Sequence, residues 1–150
     1  MQIWVDADAC PVVIKQILFK AAQRWQVKTT LVANQTLQVP ASVYIASRQV
    51  PKGFDVADNY IVTHARADDL VITADIPLAA EVINNNVHVL SPHGERHTKD
   101  TISERLTMRD MMQELRDMGI ETSKQKEFSM ADRKTFANQL DKFLSANSKR

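Results

Sequence analysis

The sequence predicts an α/β layer fold with a mostly parallel sheet. Two features predict it. Short runs rich in β-branched residues alternate with longer stretches in which apolar side chains recur at helical spacing. The junctions are punctuated by Pro, Gly and Asp, residues that open helices or interrupt strands.

Taken in order, Ile3-Trp4-Val5 fits a short buried strand. From Pro11 the apolar residues Val12, Val13, Ile14, Ile17, Leu18, Ala21, Ala22 and Trp25 fall on one helical pattern. Pro11 suits the first helical position, where its missing N–H has no partner anyway. Thr29–Ala33 reads as the second strand and Val43–Ala46 as the third. Lys52-Gly53 marks a break, after which Asp55 caps a helix running to about His64. Leu70–Thr73 is the next strand, Ile76–Ile83 a short helix opened by Pro77, and Val87–Leu90 the last strand. Ser91 to Asp100 is polar, holds Pro92 and Gly94, and reads as a long loop. Thr101-Ile102-Ser103-Glu104 is a capping-box pattern opening a helix that ends at Gly119. A polar link, Thr122–Glu127, then leads to Ser129 and a last amphipathic helix through about Leu144.

A chain of 150 residues is most simply one domain, with an α/β core over 1–90 and a loop with C-terminal helices over 91–150. The formal net charge of +1 marks no global polyanion binder, so a nucleic-acid surface has to be a local patch. One cysteine, Cys10, excludes an internal disulfide and suits a reducing compartment. No signal peptide is visible and no apolar run approaches the roughly 18 residues that span a bilayer. The expected setting is the cytoplasm.

The acids carry the functional signal. Every acidic residue before Glu81 is an aspartate, and Asp6 and Asp75 directly follow predicted strands, with Asp8 beside the first. Ligands of open parallel sheets bind outside the carboxyl ends of the strands, and there Asp6 and Asp75 lie side by side if their strands are neighbours. Short carboxylates in that setting suit Mg²⁺ or Mn²⁺, which take oxygen ligands and keep several waters. Asp8 and Asp55 are equally explained as helix caps, and Asp68 as a solvated side chain. Asp69 precedes its strand, so pattern alone does not place it. Cys10 reads as a small packing residue, and Trp4 and Trp25 as core. His93 and His97 in "SPHGERH" lack the helix that paired zinc ligation needs, because Gly94 breaks it. Arg48, Arg66, Arg109 and Arg116 are the candidates for phosphate contacts if their elements face the aspartate edge. Residues 121–150 hold seven Lys or Arg against four acids, a surplus that on a terminal helix is usually a solvated face.

"IWVDADACPVVIK", "KGFDVADNYIVTHARADDLVITADIPLA" and "FSMADRKTFANQLDKFL" together resemble the YaiI/YqxD-like family of bacterial proteins, essentially end to end. That family is grouped with the PIN/NYN-like fold, whose better-known members are metal-dependent ribonucleases. The resemblance implies a three-layer α/β/α sandwich, an acidic cluster that binds Mg or Mn, and single-stranded RNA as substrate. It matches Asp6 to the aspartate ending the first strand of those nucleases and Asp75 to their Thr-x-Asp motif. Lys52-Gly53-Phe54-Asp55 resembles the segment that precedes their central helix, and Asp58 the carboxylate that helix supplies. The expected metal ligands are therefore Asp6, Asp58, Asp69 and Asp75, with Asp6, Asp8 and Asp75 as catalytic candidates. The sequence departs from the pattern at Pro77, where many relatives have a second acid, and Asp8 and Asp69 are the acids available to compensate. Ser123-Lys124-Gln125-Lys126 also lacks the glycines expected of the C-terminal link.

Two rival readings stand beside this one. "VDADAC" comes close to the Asp-x-Asp of haloacid-dehalogenase-like phosphatases, but Cys10 stands where a Thr or Ser is expected. A non-catalytic nucleic-acid or protein binding module on a PIN-like scaffold is the other, with Pro77 as its support.

Overall fold

A computed structural model of the protein describes residues 1–121 and 128–147. The chain runs β1 (Ile3–Asp6), α1 (Val12–Trp25), β2 (Thr29–Ala33), β3 (Ile45–Gln49), α2 (Val56–His64), β4 (Leu70–Ile72), α3 (Ile76–Ile83), β5 (His88–Leu90), β6 (Arg96–His97), α4 (Lys99–Asp117) and α5 (Met130–Asn147). The strands form one sheet in the order β3-β2-β1-β4-β5-β6, parallel except for β6, which pairs antiparallel with β5. No helix among the described residues is long and apolar enough to cross a membrane.

The period-2 geometry of strands divides β1 between two cores. Ile3 and Val5 face one side, with Leu31, Leu70 and Ile72, and meet Ile14, Leu18 and Trp25 of α1 and Phe136, Leu140 and Leu144 of α5. Trp4 faces the other side, with Val32, Val71 and Val89, and meets Ile61 of α2, Leu78, Val82 and Ile83 of α3, and Ile102 of α4. This is the three-layer α/β/α sandwich. Parallel strands covered on both faces need near-continuous apolar runs, and that requirement made β1, β2 and β4 visible in the sequence.

The structure corrects several boundaries. The third strand starts at Ile45, two residues later than predicted, and continues through Ser47, Arg48 and Gln49; Val43 is exposed. As an edge strand it packs on one side only, so apolar content understates its length. The predicted loop after Leu90 contributes β6, too short for any periodicity to show. Thr98, rather than Thr101, caps α4: the Thr98 side chain accepts from the Thr101 N–H and the Thr101 hydroxyl takes the N–H of Thr98, so the helix opens earlier. Pro11 precedes the first helical residue instead of occupying it. The Ser123–Lys126 segment lies outside the described residues.

Candidate active site

The chain builds the sheet outward from β1 through β2 to β3, then crosses to the opposite flank with β4 and β5. The carboxyl ends of β1 and β4 therefore border the point where strand order reverses, the place open α/β sheets use for ligands. Asp6 closes β1, and Asp75 lies just beyond β4. Helix α2 starts at this edge and brings Asp58 in its first turn.

Thr73 ties the two strand ends together. Its hydroxyl donates to Asp6 Oδ2 at 2.8 Å and accepts the Asp75 N–H at 3.0 Å. Asp75 also caps α3, with Oδ1 accepting the Leu78 N–H at 3.0 Å, so its carboxyl is fixed in place. Burial raises the Asp6 pKa most; the Thr73 hydrogen bond lowers it, and the nearby charges of Asp75 and Asp8 push it up again. Asp58 is pushed up to about 7, first by burial, then by the charges of Asp75 and Asp6, by a carboxyl–carboxyl hydrogen bond with Asp75 and by the charge of Asp55. Three carboxyl groups from β1, α2 and the β4–α3 turn thus converge closely enough for one to retain its proton near neutrality.

Residues 4–146 match the profile of the uncharacterized YaiI/YqxD family. The chain belongs to the YaiI/YqxD family. It is 63% identical to a UPF0178 protein of Bordetella petrii over 149 residues, 99% of each chain. It is 60% identical to one of Pectobacterium carotovorum, covering 96% of each, and 57% identical to one of Photobacterium profundum over the full length of both. No solved structure matches the chain.

In this YaiI/YqxD chain the remaining aspartates divide clearly. Asp8 is exposed and accepts the Asn34 N–H at 2.9 Å, bracing the end of β2 rather than capping α1. Asp55 sits before α2 in a left-handed conformation (φ 62°) and makes no side-chain cap. Asp69 is not brought to the cluster. It precedes β4, at the amino end of the sheet, and is buried with both oxygens occupied: Oδ1 by the Gln2 N–H, Oδ2 by the Trp4 indole and the Arg66 N–H. Its place among the expected metal ligands gives way to a structural role, locking β1 to β4.

The four arginines are dispersed. Arg109 lines a cavity of about 400 Å³ with Ala74 and Ile76, beside Asp75, and pairs with Asp110 at 3.6 Å. Arg116 lies seven residues along α4, about 10 Å further out, and bonds to Gln113. Arg48 and Arg66 share a different groove, under α2. Cys10 is buried, and burial pushes its thiol up to about 12 against the opposing charge of Lys15, so it is no nucleophile at neutral pH. His93 faces Asp132, with Nδ1 2.8 Å from the carboxylate, and His97 is buried with an unpartnered Nδ1.

Sequence reasoning missed the part Thr73 plays. The Thr-x-Asp spacing was its signal: a hydroxyl at a buried strand end can serve the carboxylate of the neighbouring strand and the backbone two residues on.

Among the described residues no three His, Cys, Asp or Glu side chains already stand in a geometry that encloses a metal. The donor set nonetheless fits a hard divalent ion, because Mg²⁺ sites commonly use one or two carboxylates and complete the shell with water. The proton held on Asp58 marks negative charge that a cation can neutralise.

Proposed function

We propose that this protein is a metal-dependent nuclease that hydrolyses phosphodiester bonds in single-stranded RNA, working in the cytoplasm with Mg²⁺ or Mn²⁺ at Asp6, Asp58 and Asp75. The observation that carries the reading is the convergence of these three carboxyl groups at the reversal point of the sheet, with Asp58 still protonated to about pH 7. The likeness of its motifs to PIN/NYN-like nucleases supports it. When bound, the metal supplies a polarised water and charge stabilisation at the phosphoryl oxygen.

The chain's own residues do the rest. Thr73 fixes the orientation of Asp6, and the Leu78 N–H fixes Asp75, so the two carboxylates hold their positions as charge builds on the phosphate. Asp58 would hold the cation as a carboxylate, releasing its proton to solvent on binding. Asp8, already engaged by Asn34, is poorly placed to act as the acid/base partner that a haloacid-dehalogenase-like phosphatase needs. A non-catalytic binding module remains the second reading, favoured by Pro77 and by the absence, among the described residues, of a preformed three-ligand cluster.

The test is cleavage of end-labelled single-stranded RNA and DNA in Mn²⁺. Wild-type protein is expected to cut RNA only with divalent metal, and Asp6→Asn to lose at least about a hundredfold in rate, since an electrostatic contribution of about 3 kcal/mol corresponds to that factor. Substrate left intact by wild type, yet bound by it, transfers the protein to the binding-module reading.

A further inference from the structure

We propose that the groove between α2 and the edge of the sheet is the track for a single-stranded polynucleotide, gripping its phosphates with Lys28, Arg48 and Arg66 and stacking a base on His64. The groove has a volume of about 400 Å³. Trp4, 8% exposed, lies in its wall, and Lys28, just before β2, Arg48 of β3 and Arg66, just after α2, line it. None of these three cations makes an ion pair with a described residue. Asp69 spends its oxygens on three N–H groups, the backbone N–H of Arg66 among them. A chain of net charge +1 has thus gathered, on one groove with no carboxylate among its lining residues, three cations that pair with no acid among the described residues.

Charge alone would describe any anion site. The aromatic side chains narrow the choice. Tyr60 and His64, one turn apart on α2, stack with ring centroids 3.9 Å apart and planes 19° from parallel. His64 Nδ1 is 2.8 Å from the Tyr60 carbonyl, and Trp4 packs edge-on to Tyr60 at 6.3 Å. The imidazole is therefore oriented from below while the residue stays exposed. Cations that follow a backbone beside a fixed aromatic face are the means by which proteins hold single strands. The same helix carries Asp58 six residues before His64, about 9 Å along its axis, so a strand in the groove leads to the acidic edge. Its role as a substrate track rests on the nuclease reading; the binding itself does not.

Binding of fluorescent ten-nucleotide RNA and DNA, measured by anisotropy in EDTA, separates the two. Wild type is expected to bind single strands more tightly than a duplex of the same sequence. Arg48→Ala/Arg66→Ala is expected to lower the slope of log K against log salt by about 1.4, at about 0.7 per lost contact. His64→Ala is expected to weaken binding about tenfold with the slope unchanged, as loss of one stacked base does. Arg48→Lys/Arg66→Lys, keeping both charges, is expected to retain the wild-type slope. Unaltered affinity and slope in the Ala variants, equal binding of duplex, or no binding of either strand overturns the groove. Groove-dependent binding without any cleavage in Mn²⁺ upholds the groove as a single-strand binding site and defeats only the nuclease reading.

Discussion

Asp58 stores a free-energy cost in the native state, because burial and the charges of Asp75 and Asp6 both oppose its ionisation. Its carboxyl is held at about 7 against an ordinary 3.8. Between those values the native state binds more protons than the unfolded chain, so stability falls as pH rises. The contribution is complete below pH 3.8 and lost once the pH passes about 7; Asp6, also raised, acts with the same sign. Asp58→Asn, which keeps a hydrogen-bonding group without the charge, is therefore expected to lose less melting temperature between pH 5 and pH 8 than metal-free wild type does; His88 and His97, whose pKa values burial lowers, pull the other way in both proteins alike. Parallel pH profiles for the two proteins, followed by circular dichroism in EDTA, would show that Asp58 ionises freely. The position of Asp6 and Asp75 at neighbouring strand ends was legible in the sequence, since each follows a short apolar run. Asp69 was not, because its hydrogen-bond partners Gln2 and Trp4 lie 67 and 65 residues away.

Elements show the same division between local and distant causes. Helix α1 and the central strands declare themselves by apolar spacing that matches their burial. The turn joining β5 to β6 does not, because its shape answers to α5. Gly94 holds φ at 89°, and a Cβ there would stand 2.6 Å from Thr135 Cγ2 and 2.7 Å from the backbone nitrogen of Phe136. That close approach lets His93 reach Asp132 and seats Phe136 in the core, fully buried. The glycine that interrupts "SPHGERH" therefore serves packing between layers. Gly94→Ala meets helix backbone, which cannot step aside as a flexible side chain can, and also takes on left-handed strain. A loss of about 1–3 kcal/mol is expected, read as a lower urea midpoint with an unchanged m value. A midpoint within error of wild type would mean that α5 shifts at no cost.

At the scale of the whole molecule, the sheet order places two surfaces of opposite sign around one helix. The amino end of α2 meets the carboxylates at the strand-order reversal, while its carboxyl end borders the groove of Lys28, Arg48 and Arg66. No single stretch of sequence encodes that juxtaposition; it follows from β3 and β4 lying on opposite sides of the β1–β2 pair. If the acidic side holds a divalent cation, binding must couple to the stability of the entire fold, because the ligands come from β1, α2 and the β4–α3 turn and converge only when the chain is folded. A cation at a hundred times its dissociation constant adds about 2.7 kcal/mol. At roughly 2–4 °C per kcal/mol for a chain of this size, that is a rise of about 5–10 °C in melting temperature. Saturating Mn²⁺ at pH 8 is expected to give this rise in wild type and little in Asp6→Asn/Asp75→Asn. The rise should be smaller at pH 5, where the incoming ion has to displace the Asp58 proton. Equal stabilisation of wild type and double variant would place the ion elsewhere on the molecule. A rise no smaller at pH 5 would separate its binding from Asp58.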